Sequence, residues 1–304
     1  MIAQISNDTE STHLEFVVCR VLKLQGYGGI AGLTQGELDA NTPEIMERVH
    51  SEHITDHMRA VYNETVGEYA NNPHTQYVTD DLIAFIEAPE LKEGDHVLDL
   101  GCGPGRDAWF MATSSNRYRE SLMQRETDGH KTIDAYAVPR KALRVTAIDA
   151  SERMLGAAIA QGAQVRMSMG VRYAPLFQRM DIQHDLAAFA ARSFKGVWSC
   201  AAFLTHTPQD QVEPVLEEIA RILDTGGIFA VSYTQSRPGQ AYDYLKVSST
   251  GRIKYFSHPK VSEIVDLAQK HGLELTRQTM SDYVDIARSM VIKDLFVSQF
   301  FRKM

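Results

Sequence analysis

Between Val97 and Asp107 the chain runs Val-Leu-Asp-Leu-Gly-Cys-Gly-Pro-Gly-Arg-Asp. Three glycines at alternate positions, Gly101, Gly103 and Gly105, follow a short apolar run interrupted by Asp99. Glycine has no Cβ, so the backbone can turn sharply there and a ligand can approach it closely. Ala108 to Ala112 suit a helix, whose first N–H groups would point over the turn. Two further acids fall where strands are expected to end, Asp149 after Leu143 to Ile148 and Asp181 after Leu176 to Met180. A carboxylate placed like Asp149 can accept hydrogen bonds from both hydroxyls of a ribose. His206 follows a fourth apolar run, and a histidine titrates near working pH, so it is a candidate base. Tyr69 and Tyr233 are secondary candidates.

The surrounding elements must position these groups. Val97 to Leu100 has the length of a buried strand, and the glycine turn and helix complete a strand–turn–helix unit. Asp149-Ala150-Ser151-Glu152 ends a second strand and starts a helix, with Ser151 as N-cap and Glu152 against the dipole. Gly196 to Cys200 is the fourth strand. Val212, Val215, Leu216, Ile219, Ile222 and Leu223 then fall at helical spacing, Asp224 to Gly227 stop the helix, and Ile228 to Tyr233 is strand five. Ser236 to Tyr255 is expected to be a polar loop. Ser262 to His271 forms a helix ending at Gly272. Leu273 to Met280 and Asp294 to Phe301 make a terminal antiparallel hairpin.

Upstream, His13 to Leu24 is buried, as helix or strand. Thr42-Pro43-Glu44 predicts a helix start, and His57 to Tyr69 a second helix with Tyr62 and Tyr69 on one face. Residues 1–75 form a helical cap, and 76–304 the main domain. Asp149 lies 44 positions after Gly105, where a compact unit needs about 20. Residues 114–140 are therefore a polar insertion.

The spacing G-x-G-x-G after Asp99 resembles motif I of the class I S-adenosylmethionine (SAM)-dependent methyltransferases. Ile148-Asp149-Ala150-Ser151-x-x-Met154-Leu155 resembles their motif II. Gly196-Val197-Trp198-Ser199-Cys200-Ala201 resembles a phrase of one bacterial branch whose motif I ends in Gly-Arg-Asp, with one extra residue here before His206. Tyr62 and Tyr69 resemble a tyrosine lead-in of small-molecule methyltransferases. The resemblance spans roughly residues 60–304. It implies an α/β fold: a doubly wound, seven-stranded, mostly parallel sheet of order 3-2-1-4-5-7-6, with an antiparallel last strand. It also implies SAM as cofactor and S-adenosylhomocysteine as product. The implied cofactor site is Asp99, Gly101, Cys102, Gly103 and Gly105, with Asp149, Ala150 and Met154 at the ribose. Asp181 lies at the adenine amino group with Met180 and Ile182 against the ring, and Cys200 and Ala201 beside the methionyl part. Arg106 pairs either with the methionyl carboxylate or with a neighbouring acid. His206 and Tyr69 are the implied catalytic residues.

The 304 residues are 44% hydrophobic, as in an ordinary globular protein, and the formal charge is −8 with no long basic block. That weighs against nucleic acid or an anionic membrane as partner, since phosphate binding needs clustered cations. Three scattered cysteines give no disulfide framework and no metal-ligand spacing, and suit a reduced, cytoplasmic protein. No apolar run reaches the ~20 residues of a membrane span. The expected partner is a small-molecule methyl acceptor. A nicotinamide-dependent oxidoreductase would also use a glycine turn and a ribose-binding acid, although the G-x-G-x-G spacing disfavours it. A SAM-binding regulator without transfer activity is the other alternative.

Overall fold

The computed structural model describes residues 13–24, 30, 32–71, 79–113, 141–169, 171–247, 251–285 and 290–304. The predicted insertion at 114–140 lies outside the described residues. Seven strands form one sheet: β1 (His96–Leu100), β2 (Arg144–Asp149), β3 (Leu176–Arg179), β4 (Phe194–Cys200), β5 (Leu223–Thr234), β8 (Leu273–Asp285) and β9 (Met290–Lys303). Between β5 and β8 in sequence, β6 (Asp243–Val247) and β7 (Ile253–Ser257) pair separately as an antiparallel ribbon.

The sheet order is β3-β2-β1-β4-β5-β9-β8. The first five strands pair in parallel, and β9 runs antiparallel to both β5 and β8. Without the ribbon this is the expected 3-2-1-4-5-7-6 order. Strand β5 begins earlier than expected, at Leu223, with a register shift opposite Phe194/Gly196 that absorbs the Gly226 turn.

Helices cover both faces. On one side α4 (Asp80–Ile86) and α5 (Arg106–Ala112) bury Phe85, Trp109 and Trp198 with Val97 and Val145. On the other, α8 (Gln209–Ile222) and α9 (Val261–Lys270) bury Leu216, Ile219 and Ile264 against Phe229, Val231 and Phe301. The central strands are mostly apolar because both faces are covered. Between them lie α6 (Glu152–Met169) and the single turn α7 (Phe203–His206).

A third core joins the N-terminal helices α1 (His13–Val21), α2 (Gln35–Met46) and α3 (Ser51–Asn71) to the ribbon. Leu14, Val18, Leu38, Ile45, Ile54 and Met58 pack there with Leu245, Ile253 and Tyr255. Arg252, immediately before β7, locks the junction. It is buried, donates to Glu15 of α1 at 2.6 Å, and also pairs with Glu64 of α3.

Two local expectations are corrected. Thr42-Pro43 does not start a helix: α2 already begins at Gln35, capped by Thr34 and Glu37 in a reciprocal capping box, and runs through Pro43. The Thr42 hydroxyl bonds back to the Leu38 carbonyl. The stretch Ser236 to Tyr255 is not all loop, because it supplies the ribbon. His13 to Leu24, open between helix and strand, contains the helix His13–Val21.

Candidate active site

The carboxyl ends of β1, β2 and β4 open into a cavity of about 640 Å³. The glycine turn forms one wall. Gly101 N–H and Cys102 N–H both donate to the Ile148 carbonyl at 2.9 Å, and Gly105 N–H closes onto the Cys102 carbonyl at 3.0 Å. All three glycines have positive φ. A Cβ on Gly101 would lie 2.3 Å from the Ala202 Cβ, so the β1 and β4 exit loops touch through this glycine. A Cβ on Gly103 would meet nothing within 4 Å. Gly105, at φ +86°, is the N-cap of α5 and packs on Ala158 instead of lining the cavity.

Asp149 crosses from β2 to this turn. One carboxylate oxygen accepts the Gly103 N–H at 2.9 Å, and the other accepts the Ser151 N–H at 2.8 Å. Burial pushes its pKa up, and the two backbone N–H groups oppose the rise. Each oxygen keeps a lone pair for a further donor. Ser151 caps α6 by accepting the Met154 N–H at 3.1 Å and donates to Asn63 of α3 at 2.7 Å, which docks the cap on the sheet edge.

Asp99 lies on the cavity floor, 2% exposed, with Oδ2 unpartnered among the described residues. Burial raises its pKa well above the ordinary carboxylate range, and nearby Asp107 adds to the rise. Arg106 pairs with Asp107, Nε to Oδ1 at 2.6 Å and Nη2 to Oδ2 at 3.0 Å. Asp107 also accepts the Trp198 indole N–H at 2.9 Å. Burial pushes the Cys200 thiol up to about 12, so it stays protonated.

At the far end, Asp181 lines the cavity with Ile182. Its carboxylate accepts the Gln183 N–H at 2.8 Å and faces His184 Nδ1 at 3.0 Å. Met180 packs against the core on the α8 side and does not line the cavity. Cys102, Ala150, Met154 and Ala201 do line it. Ala201 is left-handed at φ +51°, an uncommon conformation for a residue with a Cβ, and directs the chain from β4 into α7.

His206, on α7, faces the cavity from beneath the cap. Its Nδ1 lies 2.8 Å from the Tyr255 carbonyl and its Nε2 2.6 Å from the Tyr62 hydroxyl. A carbonyl only accepts, so Nδ1 carries the hydrogen, and in the neutral ring Nε2 accepts from Tyr62. Burial drives the His206 pKa down to about 4, and Lys254 adds to the fall against the opposing Tyr255 bond. Tyr69 donates to Tyr62 at 3.4 Å. Tyr233 is corrected. It is fully buried, donates to Gln299 at 2.8 Å and sits in the core, so it is no candidate base.

Sequence reasoning did not single out Thr55, Met58 and Arg59, which line the cavity beside Tyr62. Their spacing on α3 places them on the Tyr62 face, and that periodicity was the available signal. Ser281, Asp282 and Phe296, from the β8–β9 hairpin, also line it, without any local signal.

A family model described as a methyltransferase domain matches residues 129–227, from before β2 into β5. The glycine turn precedes the matched segment. That segment, about a third of the chain, is similar to the methyltransferase domain family. Solved structures share the fold. A SAM-dependent methyltransferase from Methanosarcina mazei is 15% identical with TM-score 0.55, covering 75% of this chain and 99% of its own. The 1,6-didemethyltoxoflavin-N1-methyltransferase of Burkholderia thailandensis, solved with 1,6-didemethyltoxoflavin and S-adenosylhomocysteine, is 17% identical with TM-score 0.55, covering 84% and 91%. A Haloferax volcanii methyltransferase in complex with the Trm112 activator is 18% identical with TM-score 0.50, covering 79% and 96%. Among the described residues no helix is long and apolar enough to cross a membrane.

Proposed function

We propose that this chain is a class I SAM-dependent methyltransferase that acts on a small molecule, bound between the carboxyl edge of the sheet and a cap of α1–α3, within residues 1–75, braced by the β6–β7 ribbon. The observation that carries this reading is the single cavity in which the glycine turn and Asp149 meet Tyr62, Tyr69 and His206. Its volume suits a small ligand, and its far wall supplies aromatic area with polar tips. Ligands of open α/β sheets bind at this edge.

SAM supplies a methyl group already electrophilic on a sulfonium, so no covalent enzyme intermediate is required. The residues present fit it. Asp149 keeps lone pairs for two ribose hydroxyls, and the bare Gly103 leaves room over the turn. The unpartnered Asp99 oxygen is placed to receive a donor such as the methionyl ammonium. Asp181 and Ile182 stand at the adenine end, and Cys200 and Ala201 beside the methionyl part. The chain's task is then to hold the acceptor atom in line with the methyl and to keep water out.

The test is incubation with methyl-labelled SAM and two fractions of a cell extract, one deproteinised and one macromolecular. Label in low-mass products is expected. Label confined to RNA or protein would overturn the small-molecule reading.

A further inference from the structure

This inference rests on the methyl-transfer reading above and concerns the proton that transfer to an X–H acceptor must release. His206 lines the cavity, yet both of its ring nitrogens are engaged, Nδ1 by the Tyr255 carbonyl at 2.8 Å and Nε2 by the Tyr62 hydroxyl at 2.6 Å. An acceptor cannot reach Nε2 without displacing Tyr62. Tyr62, by contrast, lines the same cavity, and its hydroxyl accepts as well as donates. Among the described residues, the charged and titratable groups around it include His206 on α7, Tyr69 on its own helix and Lys254 on β7, with Arg59 one turn away. The Lys254 ammonium stands 5.4 Å from the Tyr62 ring centroid and 5.0 Å from that of Tyr69. A cation there favours negative charge developing on the phenol oxygens.

We propose that Tyr62 is the catalytic base, taking the acceptor's proton on its oxygen while its own phenolic proton passes to Nε2 of His206. The acceptor's X–H bond breaks and its electron pair forms the new X–CH₃ bond. The pair of the broken S–CH₃ bond stays on sulfur, and nothing is oxidised or reduced. A proton on His206 replaces the positive charge that methyl transfer removes, so the cavity's net charge is unchanged. Burial makes the imidazolium costly, so His206 returns the proton through Tyr62 to water as product leaves. Such a relay serves an acceptor atom that bears an acidic hydrogen: a phenol, an enol or a ring N–H. A neutral amine already offers a lone pair and needs no base before transfer. The acceptor class is therefore an acidic X–H compound.

Two readouts test this. In ¹⁵N-histidine NMR of the protein with S-adenosylhomocysteine, His206 should be the Nδ1–H tautomer with Nε2 shifted by a hydrogen bond. Tyr62→Phe should abolish that shift, and Tyr69→Phe should leave it. In transfer from methyl-labelled SAM into a deproteinised extract, Tyr62→Phe and His206→Gln should each slow labelling about 100-fold or more. The double variant should be no slower, and affinity for S-adenosylhomocysteine should hold within twofold. Tyr69→Phe should cost less than tenfold. Should Tyr62→Phe fold poorly, 3-fluorotyrosine at position 62 keeps the shape and a more acidic phenol, and should move the pH–rate profile to lower pH. A Tyr62→Phe protein labelling within threefold of wild type, an unmoved fluorotyrosine profile, or label found on aliphatic amines would overturn the relay. A wild type that binds SAM but labels nothing would overturn the methyl-transfer reading itself, and the relay with it, whatever the NMR shows.

Discussion

At the scale of single residues, the site depends on a few contacts whose removal has calculable consequences. Gly101 and Gly103 occupy similar left-handed conformations but face different neighbours. Gly101→Ala forces a Cβ against Ala202 and should destabilise the fold by at least about 1–3 kcal/mol in urea unfolding. Gly103→Ala should cost the fold less, while its methyl projects over the turn and weakens S-adenosylhomocysteine binding. His206 gives a pH signature. Its folded pKa of about 4 lies below the ordinary 6.5, so between those values the unfolded chain binds a proton that the folded one does not. Stability should therefore fall as pH drops from about 6.5 to about 4, by up to about 3 kcal/mol from this group. His206→Gln should flatten that part of the stability profile, and an unchanged slope would contradict the buried neutral histidine. The glycine turn, Asp149 and the Ser151 cap were legible in the sequence because their partners lie within a strand–turn–helix unit. The Tyr62–His206 bond joins residues 144 positions apart, and Asp107 reaches Trp198 over 91, so only folding reveals them.

At the scale of elements, the strands and the α8 helix were read closely because burial on both faces writes continuous apolar runs, and one apolar stripe writes a 3.6 period. The ribbon was missed because its apolar partner is the distant cap, which buries Leu245, Ile253 and Tyr255, while its polar residues Asp243, Lys246 and Lys254 read as loop. The α2 start was misplaced because Thr42-Pro43 carries a cap signal that the Thr34–Glu37 box, one turn and more upstream, overrides. The junction between cap and ribbon hinges on Arg252. Arg252→Ala leaves Glu15, 2% exposed, as a buried charge without its partner, and should cost about 3–5 kcal/mol. Denaturant unfolding measures it. Replacing Glu15 and Arg252 together by Leu and Met should recover most of that loss, because a paired apolar replacement leaves no stranded charge at Glu15. A double variant as unstable as the single one would show that packing, not charge pairing, holds the junction.

At the scale of the whole molecule, the sheet order was implied by the resemblance that two motifs at strand ends carry, while the alternating strands and helices pointed only to an α/β fold. How the cavity is walled was not legible, because its lining joins α3, early in the chain, to the β8–β9 hairpin near its end. The account stands on one claim, that SAM lies across the glycine turn with its ribose on Asp149. Calorimetric titration of wild type and Asp149→Ala with S-adenosylhomocysteine, and with NAD as a control, tests it most directly. Loss of hydrogen bonds to a charged group predicts weakening by about 1–3 kcal/mol, roughly 5- to 150-fold in Kd, with no heat from NAD. Equal affinity of the two proteins for S-adenosylhomocysteine, or saturable binding of NAD, would contradict it.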